Sequence, residues 1–177
     1  MKYLIMCEGT NELKIIDILL DANKLNITRD DLIGLSAYHA RQIGKSAIVQ
    51  AELRMYNREV IVYRIGDRMS DKLVIPKEFK HQIKDVVKYC TLPELEMLLI
   101  VSENKHLQFE KVKSGKRAKQ FAKEEISYKG KRYDNSTDFY QQYFGDDCEK
   151  LIGAIRKYKH LHHTHKNDER YLADLLN

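Results

Sequence analysis

Residues 1–20, MKYLIMCEGTNELKIIDILL, confine the start of the chain to a strand, a tight turn and a helix, in that order. A short apolar run, Tyr3 through Cys7, stops at an acid and a glycine, Glu8-Gly9. Glu12 follows the turn. Beyond it Leu13, Ile16 and Leu20 recur at helical spacing, with Ile15 and Leu19 beside them. The pattern sets a carboxylate at the carboxyl end of a strand, the edge where open α/β sheets hold their functional groups.

The alternation continues. Residues 32–36 fit a strand and 40–56 a helix, with Ile43, Ala47, Leu53 and Tyr56 at mostly helical intervals. Residues 59–65, EVIVYRI, are β-branched and continuous, as in a parallel strand buried on both faces. They run into Gly66-Asp67, again a glycine and an acid at a strand end. A helix is predicted over 76–84, with Pro76 in its first turn, and a strand over 85–90. A further helix starts near Thr91-Leu92-Pro93 and runs through Glu94, Glu96, Leu98 and Leu99. Repeated β-α units imply an α/β fold: a Rossmann-like, mainly parallel sheet of about four strands flanked by helices. Residues 1–125 form this domain. The stretch KVKSGKRAKQFAKEE reads as a basic helix at its end, and 128–136 as a polar turn. Residues 126–177 are expected to be a C-terminal helical tail packed on the sheet, with short helices over 138–144, 147–162 and 168–176.

A net charge of +5 over 177 residues raises the expectation of a polyanionic partner such as nucleic acid, though only modestly. Cys7, Cys90 and Cys148 are scattered and odd in number, which argues for a reducing compartment and against a disulfide framework or zinc ribbon. The first apolar stretch is too short for a signal peptide and is broken by Glu8, and no segment reaches the length of a membrane span. A soluble cytoplasmic protein with no membrane partner is expected.

Acidic residues fall where this topology puts strand ends: Glu8 and Glu12 at the first turn, Asp67 and Asp71 after the third strand, Glu94 and Glu96 after the fourth. Carboxylates held together repel and stay ionised only around a cation. Mg²⁺ or Mn²⁺ suits an all-oxygen set, and such ions clamp the attacking and leaving oxygens of a phosphodiester. Lys111, Lys113, Lys116, Arg117 and Lys119 would then hold phosphates.

The segments CEGTNE, IGDRMSD and LPELEMLL, in that order after successive strands, resemble the motifs of a Toprim domain, and most closely the small Toprim proteins related to OLD-family nucleases. The resemblance covers roughly residues 1–125. It implies metal-dependent cleavage of DNA or RNA, often in defence against phage. The small size and the lack of an ATPase segment add a further expectation, a component of a toxin or phage-defence system in which a partner protein delivers the substrate. Carried over by position, Glu8, Asp67 and Glu96 would ligate Mg²⁺ or Mn²⁺, joined by Asp71. Glu12 would be a ligand or the base for the attacking water, and Lys116 would steady the phosphate. The chain departs from the pattern at two points. No DxD follows the third strand, since Asp71 lies four residues beyond Asp67, and Asn11 stands where a threonine is usual. The displaced aspartate supports a second expectation, a catalytically degenerate module that binds nucleic acid or regulates a partner.

Other features have two readings. Gly44-Lys45 is a helix-start phosphate site or an ordinary turn, and without a glycine-rich loop it is not a P-loop. His160, His162, His163 and His165 read as a basic helix end rather than a native metal site. Tyr128, Tyr133, Tyr140, Tyr143 and Tyr158 either stack on bases or pack the tail onto the sheet, the latter being usual. An oligomeric state is left open.

Overall fold

The computed structural model describes residues 1–67, 72–91, 95–161 and 169–177. Asp71, Glu94, His162, His163 and His165 lie outside these residues.

The first strand, β1 (Lys2–Cys7), pairs in parallel with β2 (Leu32–His39) on one side and β3 (Val60–Gly66) on the other. Strand β4 (Ile83–Cys90) extends the sheet from β3, again in parallel. Side chains alternate across the pleat. Leu4 and Met6 face one core, while Ile5 and Cys7 face the other. Burial on both faces explains why β1 and β3 read as continuous apolar runs rather than alternating ones.

The two faces are covered unequally. Helix α1 (Thr10–Asp21) buries Ile15, Ile16, Ile18, Leu19 and Leu20 on the face of Ile5 and Cys7. Helix α2 (Ala47–Tyr56) buries Val49 and Leu53 on the face of Leu4 and Met6. Ser46 caps α2, its Oγ accepting from the Val49 amide at 3.4 Å. Asn57, at φ 44°, ends it in the left-handed conformation that asparagine tolerates. Of the 40–56 segment, residues 43–45 form a 3₁₀ turn and only Ala47–Tyr56 is α-helix.

The remaining elements join the α1 face. They are α3 (Met97–Ser102), α4 (His106–Glu110), α5 (Ala118–Glu125), the hairpin β5 (Ser127–Tyr128) and β6 (Lys131–Arg132), α6 (Thr137–Phe144) and α7 (Cys148–Leu161). The tail tyrosines pack rather than project. Tyr133, Tyr140, Tyr143 and Tyr158 are buried, and Tyr133 meets Tyr140 edge-on at 5.8 Å between ring centres.

Three predicted elements differ. The basic stretch after Phe109 is not one helix: Ser114-Gly115 forms a turn, with Gly115 N donating to Val112 O at 3.0 Å, before α5 begins. The segment 76–84 holds a single 3₁₀ turn, Lys77–Phe79, ahead of β4. The expected helix over 168–176 is instead strand β7 (Glu169–Tyr171) and a 3₁₀ turn, Leu172–Leu175. Strand β7 pairs in parallel with β4, Cys90 opposite Tyr171, and gives a five-stranded order β2-β1-β3-β4-β7. The following residues fasten to the loop after α1: Asn26 N donates to Leu175 O at 2.9 Å and Asn177 N to Lys24 O at 3.1 Å. Among the described residues, no helix is long and apolar enough to cross a membrane.

Leu175 is fully buried at this junction. Leu175→Ala should cost about 2–5 kcal/mol of unfolding free energy, read from urea titration by circular dichroism. A change below about 0.5 kcal/mol would mean that the C-terminal segment is not part of the cooperative core.

Candidate active site

Because β1, β2, β3 and β4 run in parallel, their carboxyl ends share one edge. Glu8 leaves β1 there, its amide donating to Ile65 O at 2.8 Å. Asp67 leaves β3 one residue after Gly66. Glu96 follows β4 at the N-terminus of α3. Glu12 sits in the first turn of α1, where a carboxylate is favoured by the helix dipole.

The glycines make room for these acids. A Cβ on Gly66 would come within 2.7 Å of Glu8 Cβ and 2.5 Å of Glu8 Oε2, so only glycine lets β3 pass beneath that side chain. A Cβ on Gly9 would run into Glu12 Oε2. Gly66 is therefore a packing requirement of Glu8, whereas at Gly9 the mobile end of Glu12 can move aside.

Between α1, α3 and the tail lies an open cavity of about 490 Å³. Glu12, Asp67, Glu96, Asn11, Arg117 and Lys119 are among its lining residues. Glu8, whose side chain is only 11% exposed, precedes the lining residue Gly9. Burial raises the Glu12 carboxyl above the ordinary glutamate range. A hydrogen bond from its own backbone opposes this, and the charges of Asp67, Glu8 and Glu96 push it further up. Three carboxylates thus act on Glu12. The Cys7 thiol beneath them is raised well above its usual value by burial and then by Glu12 and Asp17, which keeps it protonated.

Each neighbouring acid is steadied from a different element. Arg41 Nε stands 3.5 Å from Glu8 Oε1. Glu96, 6% exposed, accepts from Tyr133 Oη at 2.8 Å. The Asn135 amide fits with its oxygen accepting from Lys119 Nζ at 2.9 Å and its nitrogen donating to Glu96 Oε1 at 3.3 Å. Burial, with Tyr140 and Glu96 alongside, drives the Tyr133 phenol far above its usual range, so it remains a donor. Asn11 Nδ2 donates to Asn135 O at 3.2 Å, while Asn11 Oδ1 is buried without a hydrogen-bond partner.

Among the described residues, the structure therefore brings Glu8, Glu12, Asp67 and Glu96 to one place. Asp71 lies outside the described residues. Lys116 is engaged elsewhere: it forms an ion pair with Glu124 of α5, because the Ser114-Gly115 turn precedes it and directs it along that helix. Lys113 likewise pairs with Glu110. Arg117 and Lys119 are the basic residues that line the cavity. Tyr133 and Asn135 were not singled out as site residues from sequence. The only local signal is the cap sequence Asp134-Asn135-Ser136 before α6.

In donor chemistry the set fits a hard divalent cation: carboxylate oxygens in mutual repulsion, with an amide oxygen left unsatisfied. Among the described residues, no three histidine, cysteine, aspartate or glutamate side chains are gathered as closely as an ion would gather them. Compared with protein-family models, curated proteins and solved structures, the chain has no match.

Two measurements test the electrostatics. Glu12 prefers its protonated form in the folded state, so the folded state gains relative stability below the ordinary value of 4.5 and loses it as pH rises through the raised one. Glu12→Gln should therefore raise the melting temperature at pH 7–8, and the gain should vanish below about pH 4. A gain independent of pH would show that charge is not its cause. Tyr133→Phe should cost about 1–3 kcal/mol, because it strips a hydrogen bond from a buried carboxylate. Equilibrium urea unfolding measures this, and a neutral result would show that Tyr133 does not hold Glu96.

Proposed function

We propose that the chain is a Toprim-type, divalent-metal-dependent phosphodiesterase that cleaves nucleic acid. The observation that carries this reading is the convergence of the charges of Glu8, Asp67 and Glu96 on Glu12 at the carboxyl edge of the parallel sheet, with Arg117 and Lys119 lining the same cavity. Glu8, Asp67 and Glu96 would hold Mg²⁺ or Mn²⁺. When bound, the ion would polarise the phosphodiester and neutralise developing charge. Glu12 is then the base. Its raised proton affinity at a buried position suits it to take a proton from water as the water oxygen attacks phosphorus. The P–O bond to the leaving oxygen breaks, and that oxygen takes up a proton from solvent. Arg117 and Lys119 would steady the non-bridging phosphate oxygens, the part first expected of Lys116. The motif order that resembles Toprim proteins also supports a place in phage defence, with a partner protein supplying the substrate.

A degenerate binding module is the second reading. It is favoured by the protein partners already satisfying the acids, Arg41 on Glu8 and Tyr133 on Glu96.

The parent protein should cut DNA or RNA with Mn²⁺ or Mg²⁺ and stop when EDTA is added. Glu8→Gln and Asp67→Asn should each lower the rate at least about a hundredfold, the equivalent of several kcal/mol of lost charge stabilisation. Cutting by both variants at the parental rate would sink the proposal. Calorimetry that detects no Mg²⁺ or Mn²⁺ uptake, together with salt-sensitive oligonucleotide binding, would favour the module instead.

A further inference from the structure

On the far side of Glu8 from the carboxylate cavity is a second concavity of about 440 Å³, where β2 ends and the chain turns into α2. It is lined by His39, Ala40, Arg41, Gln42, Lys45 and Ser46. Arg41, Lys45 and His39 converge here, and among the described residues no acid lines it. The Lys45 side chain is exposed and makes no ion pair or hydrogen bond among the described residues. Among the described residues, only Nε of Arg41 is engaged, 3.5 Å from Glu8 Oε1 and 3.4 Å from Glu8 O, and its side chain is 64% exposed. The Arg41 head is largely in solvent, so it can turn toward an anion that enters the groove. The frame around these cations is fixed. His39 Nε2 lies 3.2 Å from Glu8 O, and Gln42 clasps the adjoining chain, donating to Lys72 O at 3.0 Å and accepting from Val74 N at 2.9 Å.

Glu8 links this basic groove to the acidic cavity: Arg41 Nε and His39 Nε2 reach its Oε1 and O, and its charge acts on Glu12, which lines the cavity. A lone phosphate site could lie anywhere on a basic protein, but a groove that abuts the carboxylates suits a polymer of phosphates crossing both. We propose that the groove seats a backbone phosphate of the nucleic acid next to the phosphate that is cut, with Arg41 and Lys45 as its contacts. The identity of the polymer rests on the nuclease reading of the neighbouring cavity, whereas the preference for an anion rests on the groove alone. The Gly44-Lys45 turn acquires a role here without any glycine-rich loop: it sets one ammonium on the groove's rim.

The test measures binding without chemistry. Fluorescence anisotropy of a labelled single-stranded oligonucleotide, in EDTA and across a salt series, gives affinity and its salt slope for each protein. Each lost phosphate contact should reduce the slope of log affinity against log salt by about 0.7 on a single strand. Lys45→Gln should thus lower it by about 0.7, and Arg41→Gln with Lys45→Gln by about 1.4. The single Lys45 variant matters because Lys45 makes no bond to Glu8. The control is Arg58→Gln with Lys84→Gln, which makes the same charge change at the amino ends of β3 and β4, at the opposite edge of the sheet. It should leave the slope unchanged. An unaltered slope in the groove variants, or an equal fall in the control, overturns the proposal. Cleavage by the parent is scored separately with Mn²⁺. A parent that cuts while the groove variants keep its slope refutes the groove alone. A parent that does not cut, while the groove variants lose slope, refutes the nuclease reading and leaves the groove as a phosphate site.

Discussion

Four carboxylates crowd one edge of a parallel sheet, and much of the architecture around them answers the repulsion this creates. Parallel strands deliver their carboxyl ends to the same side, so Glu8, Asp67 and Glu96 converge as a consequence of topology, and α1 brings Glu12 back over the turn. Gly66 clears the space for Glu8, Arg41 offsets Glu8, Tyr133 and Asn135 bond Glu96, and Glu12 is left carrying a raised proton affinity. An arrangement that costs stability at neutral pH is the kind that functional sites retain.

The unequal layers follow from the same edge. One face of the sheet carries α1 and the whole C-terminal third, while the other is covered chiefly by α2. The thick face supplies the groups that bond Glu96 and Lys119. The thin face ends in the basic turn at Arg41 and Lys45. Glu8 stands between them, so acid and base sit side by side across the end of one strand.

What could be read in the sequence was local. The strand ends at Cys7 and Gly66 are marked by an apolar run meeting glycine and an acid, and the buried strand 60–66 announces itself by β-branching. Strand β7 could not be read this way. It is three residues long, polar at its start, and owes its form to β4, which lies some eighty residues earlier in the chain. The Tyr133 bond to Glu96 spans 37 residues, and no pattern of spacing encodes a pair so distant. Lys116 was misjudged for a smaller reason. A turn at Ser114-Gly115 resets the helical phase, so the side chain meets Glu124 while its neighbours Arg117 and Lys119 reach the cavity.

The bond from Tyr133 to Glu96 also bears on how the protein is made. Synthesis proceeds from the N-terminus, and segments fold as they emerge. Glu8, Asp67 and Glu96 are all exposed to the medium before Tyr133 and Asn135 exist to organise the last of them. Strand β7, which borders β4, comes later still. A growing chain therefore carries the acids before the groups that order them, and the cavity becomes a defined cleft only once Tyr133 and Asn135 have been made.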